Sequence, residues 1–411
     1  MAGIQSLPQE LLEHIIDSSR DPKVLKVLST LSKAWRTRFE YDLFERCALE
    51  NVHLYEIYFQ ISKPTADSAA KRERISTLFS YAYRLRINGE KIYPGRKKLN
   101  SYPKVLQLFP NVTHLEIQLW DFEMFNNKGV VNLLGHFGKT VTTLEITHCW
   151  DNSAVLLFLK SLFPLVDDFR VSGNGSDWPT YIPRIRYFNR PGSAVFRGKL
   201  ALKNLGERHD GFLKFFDQHR SGVHSITVEN CNSLKRVQNL CSGPQASELT
   251  SVGFGPGLSE GKFIHVRYTA LVLTWSLQAA IDLSSCIQLR TLSIHIMYGL
   301  SRWDWWILRT VTSTHLEEVR ISFFREAFQT WDYPKFWRKI ENLLCEWYDR
   351  SCENENDAGR FHVVLNPIGK VKGARRWLVE QVRGAWPNFL QKGTVYLPFK
   401  PWILGRRLHD M

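Results

Sequence analysis

Three groups of side chains in this sequence have types and spacings that could do chemistry. His148 and Cys149 are adjacent and both can ligate a metal, but no second pair stands at ligand spacing, so they read as the end of a strand. The segment GFGPG (253–257) is rich in glycine, yet it lacks the GxGxxG or GxxxxGK[ST] spacing that cradles phosphate, and reads as a turn. There is no GxSxG nucleophile elbow and no HExxH pair, and the thirteen histidines are otherwise dispersed. These residues predict neither an enzyme, nor a metal site, nor a cofactor.

The basic residues form the third group. RLRINGEKIYPGRKK (84–98) sets six Lys/Arg against one Glu, and RIRYFNRPGSAVFRGK (184–199) carries five with no acid. In the second cluster Arg184, Arg186, Arg190 and Arg197 surround Tyr187 and Phe188. Cations interleaved with aromatics can hold a phosphate backbone and stack bases. The same cations can dock an acidic protein, or simply form a solvated face. The solvated face is the simplest reading, an acidic target comes second and nucleic acid third. WDWW (303–306) is similarly open: at helical spacing Trp303 and Trp306 share one face, which favours core over a binding hot spot.

Elements must position these residues, and the composition supplies enough material for them. Of 411 residues, 44% are hydrophobic and 13% aromatic, a globular composition. The apolar stretch Tyr268–Ile281 is 14 residues long, short of the roughly 20 that span a bilayer. Seven cysteines, an odd number without a CxxC pair, suit a reducing compartment. No basic segment followed by an apolar one opens the chain. The expectation is a cytoplasmic or nuclear protein with no membrane span. The net charge of +14 is uneven, because residues 1–50 hold seven Lys/Arg against eight Asp/Glu.

Those first fifty residues read as short helices. Leu7, Leu11, Leu12, Ile15 and Ile16 lie on one helical face, and Pro8 suits the first turn, where its missing N–H costs nothing. Asp21-Pro22 reads as an N-cap followed by a first-turn proline, and Leu25, Leu28, Leu31 and Trp35 form a second stripe. Three helices in about forty residues cannot bury all these side chains among themselves, so an apolar face remains for a partner.

LPQELLEHII, the DPKVL element and LSKAWR together resemble an F-box, over about forty residues. Ser18-Ser19 stand where that family usually has a leucine, and Leu31 where it usually has a valine. The resemblance implies docking on the Skp adaptor of a cullin–RING (SCF) ubiquitin ligase. It implies that Leu7, Pro8, Glu10, Leu11, Leu12, Ile15, Ile16, Leu25, Leu28, Leu31, Ser32 and Trp35 make that contact. The competing reading is a helical cap that buries the same residues against the rest of the chain.

Beyond residue 100 a faint repeat emerges. THLEIQL, TTLEITHC, DDFRVSGN, HSITVENC, TSVGFGPG, RTLSIHIM and EEVRISFF each place apolar residues two apart, starting at Leu115, Leu144, Phe169, Ile226, Val252, Leu292 and Val319. KLALKNL, with Leu200 and Leu202, fills the longest gap. Cys149, Asn174 and Cys231 each follow a second aliphatic by three, where a buried polar group can serve the turn leaving the strand. YRLRING predicts an earlier strand, HVVLNP and GTVYLPF two late ones. SAVLLFLKSLF (153–163) and DWWILRTV (304–311) have helical period, and DRSCENENDAGR (349–360) reads as a surface loop. The layout resembles fungal F-box proteins with degenerate leucine-rich-repeat-like C-terminal regions.

The expected fold class is α/β: a three-helix F-box at 1–50, a helical, polar connector with the first repeat at 51–100, and a leucine-rich-repeat-like solenoid at 101–411. The expected function is substrate recruitment to an SCF-type ligase, with Arg184, Arg186, Arg190 and Arg197 as candidate contacts to an unknown, acidic target. A ligase-independent repeat scaffold and a nucleic-acid-binding protein are the alternatives.

Overall fold

The computed structural model describes residues 44–49, 57, 68–88, 105–118, 131, 134–149, 153–173, 196–205, 216, 220–229, 234–254, 281–296, 307–324, 333–352, 360–368, 374–397 and 402–405. The chain divides into two compact units. One comprises residues 1–149, 154–167 and 179–194; the other comprises 150–153, 168–178 and 195–411.

Among the described residues the first unit carries four parallel strands in chain order: β1 (Arg46–Leu49), β2 (Arg84–Asn88), β3 (His114–Gln118) and β4 (Thr143–Cys149). Alternation of aliphatic and polar residues sorts β2, β3 and β4 into a buried and an outward face. Leu85, Leu115 and Leu144 pair in register, as do Ile87, Ile117 and Ile146, and all six are at most 4% exposed. Fully burying such a side chain stabilises by about 2 kcal/mol, so the two ladders hold the strands in this register. Helix α1 (Ser68–Ser80) leads into β2 and ends on Phe79, which stacks on Phe109 at 4.3 Å. Helix α2 (Ser153–Leu162) follows β4. Its Lys160 is buried with the ammonium donating to the Val166 carbonyl at 2.6 Å. A Cβ on Gly138 would collide with the Leu162 carbonyl, so only glycine lets the turn 137–139 lie against the end of α2.

A backbone device recurs at the strand entries. The Glu45 carbonyl accepts from the N–H groups of Tyr83 and Arg84, the Tyr83 carbonyl from Thr113 and His114, and the Thr113 carbonyl from Thr142 and Thr143. Each crossover therefore satisfies its polar backbone on the preceding repeat. Just upstream of three strands sits a buried residue three before the first ladder position: Ala82, Val112 and Val141.

The second unit repeats the plan over nine strands among the described residues. They are β5 (Asp168–Gly173), β6 (Phe196–Lys203), β7 (Arg220–Glu229), β8 (Ser251–Phe254), β9 (Thr291–Ile296), β10 (Glu318–Phe324), β11 (His362–Ile368), β12 (Thr394–Leu397) and β13 (Trp402–Gly405). All neighbours are parallel except β12 and β13. One buried ladder runs Phe169, Leu200, Ile226, Val252, Leu292, Val319, Val363, Val395. Its neighbour runs Val171, Leu202, Val228, Phe254, Ile294, Ile321, Leu365. The entry device recurs here: the Thr250 carbonyl accepts from Arg290 and Thr291, and the Arg290 carbonyl from Glu317 and Glu318.

Helices α3 (Leu234–Ser242), α4 (Tyr333–Cys352), α5 (Ala374–Ala385) and α6 (Pro387–Lys392) fill crossovers of this unit. Pro387 opens α6 without a side-chain N-cap of its own. The Glu341 carboxylate of α4 takes that role, accepting from the N–H groups of Asn388 at 2.6 Å and Phe389 at 3.2 Å. Beside it the Trp386 indole donates to the Trp337 carbonyl at 3.1 Å, and the two rings meet edge to face.

The parallel α/β architecture and the ladder positions agree with expectation, including Leu200 and Leu202 in the long gap and the strands at 84–88, 362–368 and 394–397. Four expectations need correction. Arg46–Leu49, inside the fifty residues assigned wholly to the helical module, is a strand, because it hydrogen-bonds to β2. Gly253 and Phe254 belong to β8 and not to a turn. The expected loop 349–360 begins as helix, since α4 continues to Cys352 with Arg350 donating to Glu346 one turn back at 3.1 Å. Within DWWILRTV only Ile307–Arg309 is helical among the described residues. The side chain of Cys149, with Asn174, Cys231 and the WDWW tryptophans, lies outside the described residues, as does the three-helix module itself.

Candidate functional site

The residues assigned to Skp contact, from Leu7 to Trp35, lie outside the described residues, and so do Arg184, Arg186 and Arg190. Arg197 is on β6, exposed, on the outward face of the second unit's sheet. The outward strand residues of each unit therefore form the candidate interaction surfaces.

In the first unit this surface is an ion network. Arg84 reaches the carboxylates of Glu116 and Glu145, each at 3.3 Å, and Arg86 reaches Glu116 at 2.7 Å. His114 Nε2 lies 3.3 Å from Glu145. Strand register dictates the pattern, since Arg84 stands opposite His114, which stands opposite Thr143. Glu116 is only 3% exposed, and two guanidinium groups offset its desolvation. Here the basic cluster 84–98 contributes Arg84 and Arg86 to internal pairing.

The second unit has two charged zones on its outward face. At one, the Arg170 guanidinium clasps Asp168 at 2.6 Å, Lys203 pairs with Glu229 at 2.7 Å, and Arg197 and Lys199 point outward between them. At the other, Arg320 bonds Glu318, and His362 Nε2 lies 3.2 Å from the same carboxylate. Burial pushes Glu318 up, but hydrogen bonding and charge from Arg320 and His362 outweigh it and hold the carboxyl below its ordinary value. The strands between the zones present mostly small residues outward, Ser225, Thr227, Ser251, Gly253, Thr291 and Ser293, together with the exposed His224 on β7 and the half-buried His295 on β9.

Little of this suits acid–base or nucleophilic chemistry. His362 places Nδ1 2.9 Å from the Arg360 carbonyl and Nε2 3.2 Å from the Glu318 carboxylate, so both ring nitrogens are engaged within the fold. Burial pushes the Cys47 thiol up to about 11 and raises Cys345 as well, so both are poor nucleophiles. Among the described residues no three His, Cys, Asp or Glu converge as a metal site, and no helix is long and apolar enough to cross a membrane.

The charge-committed zones were missed in the sequence because pairing depends on lateral register: Glu318 and His362 are 44 residues apart. Lys199, at the end of a basic cluster, was visible in sequence but not distinguishable from its neighbours. No family model matches the chain, and no curated protein matches it.

Proposed function

We infer that the chain is a substrate-recruiting adaptor of an SCF-type cullin–RING ubiquitin ligase, acting in the cytoplasm or nucleus. The observation that carries this reading is the run LPQELLEHII, DPKVL and LSKAWR immediately ahead of a parallel-stranded repeat. The module at the N-terminus docks on the Skp adaptor. The remainder is a leucine-rich-repeat-like solenoid that presents a target, and the in-register ladders and recurring strand-entry hydrogen bonds support that role. No side chain of the chain carries out the ubiquitin transfer. Holding a target's lysines near a charged enzyme raises their effective concentration, which is sufficient.

The test is capture of a purified Skp adaptor by the full chain and by a chain lacking residues 1–40. That cut spares β1, whose pairing with β2 a deletion at residue 50 would remove. Capture by the full chain alone supports the adaptor. Equal capture by both contradicts it.

A further inference from the structure

We propose that the outward face of β6 is the docking surface for an extended acidic segment of a partner protein, held by Arg197 and Lys199. This deepens the recruiting role above and rests on it for the occupant being a recruited target. Both side chains are exposed, and neither has an acidic partner among the described residues. The carboxylates around them are committed elsewhere. Asp168, opposite Lys199 on β5, is clasped by Arg170. Glu229 on β7 is taken by Lys203. Glu248 accepts from the Gly222 N–H at 3.2 Å.

The stem of Arg197 lies over the backbone of Gly222 on β7. Gly222 has φ +71°, a left-handed conformation suited to glycine, and a Cβ there would lie 3.8 Å from Arg197 Cγ. The arginine stem thus runs over a bare stretch of β7 while its head remains in solvent. Across the sheet from Lys199 stand Ser225 and then Ser251, too short to obstruct a chain laid over them. Between the two cations Gly198 has φ +78°, and the pairing with β7 shifts register on either side of it, so the sheet is irregular here. A segment rich in carboxylates therefore matches Arg197 and Lys199 in sign.

Nucleic acid fits less well. Among the described outward residues of β5–β8 the one aromatic ring is the exposed His224 imidazole, and there is no Phe, Tyr or Trp on which successive bases can stack.

The probes are fluorescein-labelled ten-residue peptides, one alternating Glu and Ser and one alternating Gln and Ser, and a single-stranded dT10. Anisotropy titrations at low salt would compare the full chain with Arg197→Gln/Lys199→Gln. A control variant, Arg338→Gln/Arg383→Gln, removes two exposed helix charges instead. The full chain should bind the Glu peptide about tenfold tighter than the Gln peptide, the β6 variant should lose that preference, and the helix variant should keep it. A preference absent from the full chain, or intact in the β6 variant, overturns the proposal. Tighter binding of dT10 that is lost in the β6 variant also overturns it, by making β6 a phosphate surface. Skp capture on the same samples reports separately: intact peptide preference without capture sinks the ligase role and leaves the docking surface standing.

Discussion

Nε2 of His362 on β11 lies 3.2 Å from the Glu318 carboxylate on β10, which Arg320 engages from the same strand. Two side chains thus engage one carboxylate, on a sheet face where β9 carries Thr291 and Ser293 and β12 carries Tyr396 against the His362 ring. The folded pKa of Glu318 is lowered from its ordinary 4.5, so its stabilising contribution is complete at neutral pH and fades as pH falls through the folded value. Replacing Glu318 with Gln should flatten the melting temperature profile below about pH 4.5, and cost about 1 kcal/mol at pH 7. Melting curves from pH 3 to 7 on both proteins check this; identical acid limbs would show that the carboxylate is not held ionised.

Leu144 and Ile226 are fully buried ladder residues, one in each unit. Leu144→Asp and Ile226→Asp place an unpaired carboxylate inside, at a cost of several kcal/mol. Each variant should unfold its own unit or lower its melt sharply, as read by circular dichroism. A variant that melts like the parent would mean the ladder register is wrong at that strand.

Glu341, 3% exposed, serves as the N-cap of α6 from another helix. Glu341→Leu removes the acceptor and leaves the buried Phe389 N–H and the part-buried Asn388 N–H without it, at about 1–3 kcal/mol. Glu341→Gln keeps an acceptor oxygen and should lose less. Denaturant unfolding of the two variants gives the order; equal losses would assign the effect to packing alone.

Gly138 abuts the Leu162 carbonyl, so Gly138→Ala must push the 137–139 turn away from α2. Overpacking of this kind costs about 1–3 kcal/mol. Gly135, with nothing within 4 Å of its added Cβ, is the control, and Gly135→Ala should leave the melt almost unchanged.

Much of this fold is legible in sequence because a parallel strand leaves a period-2 aliphatic mark, and Leu115-x-Ile117 or Leu292-x-Ile294 can hardly be read otherwise. A third mark was there to be used: Val112, Val141, Val166, Leu249, Leu289 and Leu316 each precede a ladder residue by three and are buried. β1 was hidden, because Arg46-Cys47-Ala48-Leu49 has one strong aliphatic and follows residues of helical period. Gly253 was misassigned because glycine usually marks a turn. In β8 it sits between Thr227 and Ser293, where an added Cβ would come within 3.2 Å of Thr227 Oγ1. The ion pairs that divide committed from uncommitted cations depend on which strands are neighbours. Arg84 and Arg197 therefore looked equivalent in sequence, although only Arg197 stands free of an acidic partner among the described residues.

The central claim, that the N-terminal helices dock an adaptor and do not cap the repeat, is tested most directly by one double variant, Leu7→Ala with Pro8→Ala. Truncating a large apolar anchor in an interface costs ~2 kcal/mol, a roughly thirtyfold loss of affinity, and removing Pro8 loosens the helix start as well. Affinity for the Skp adaptor, by titration calorimetry, and the thermal melt should be measured on the same preparation. The expected result is binding weaker by at least about thirtyfold with an unchanged melt. Unchanged binding with a lowered melt would make Leu7-Pro8 a structural cap and contradict the adaptor role.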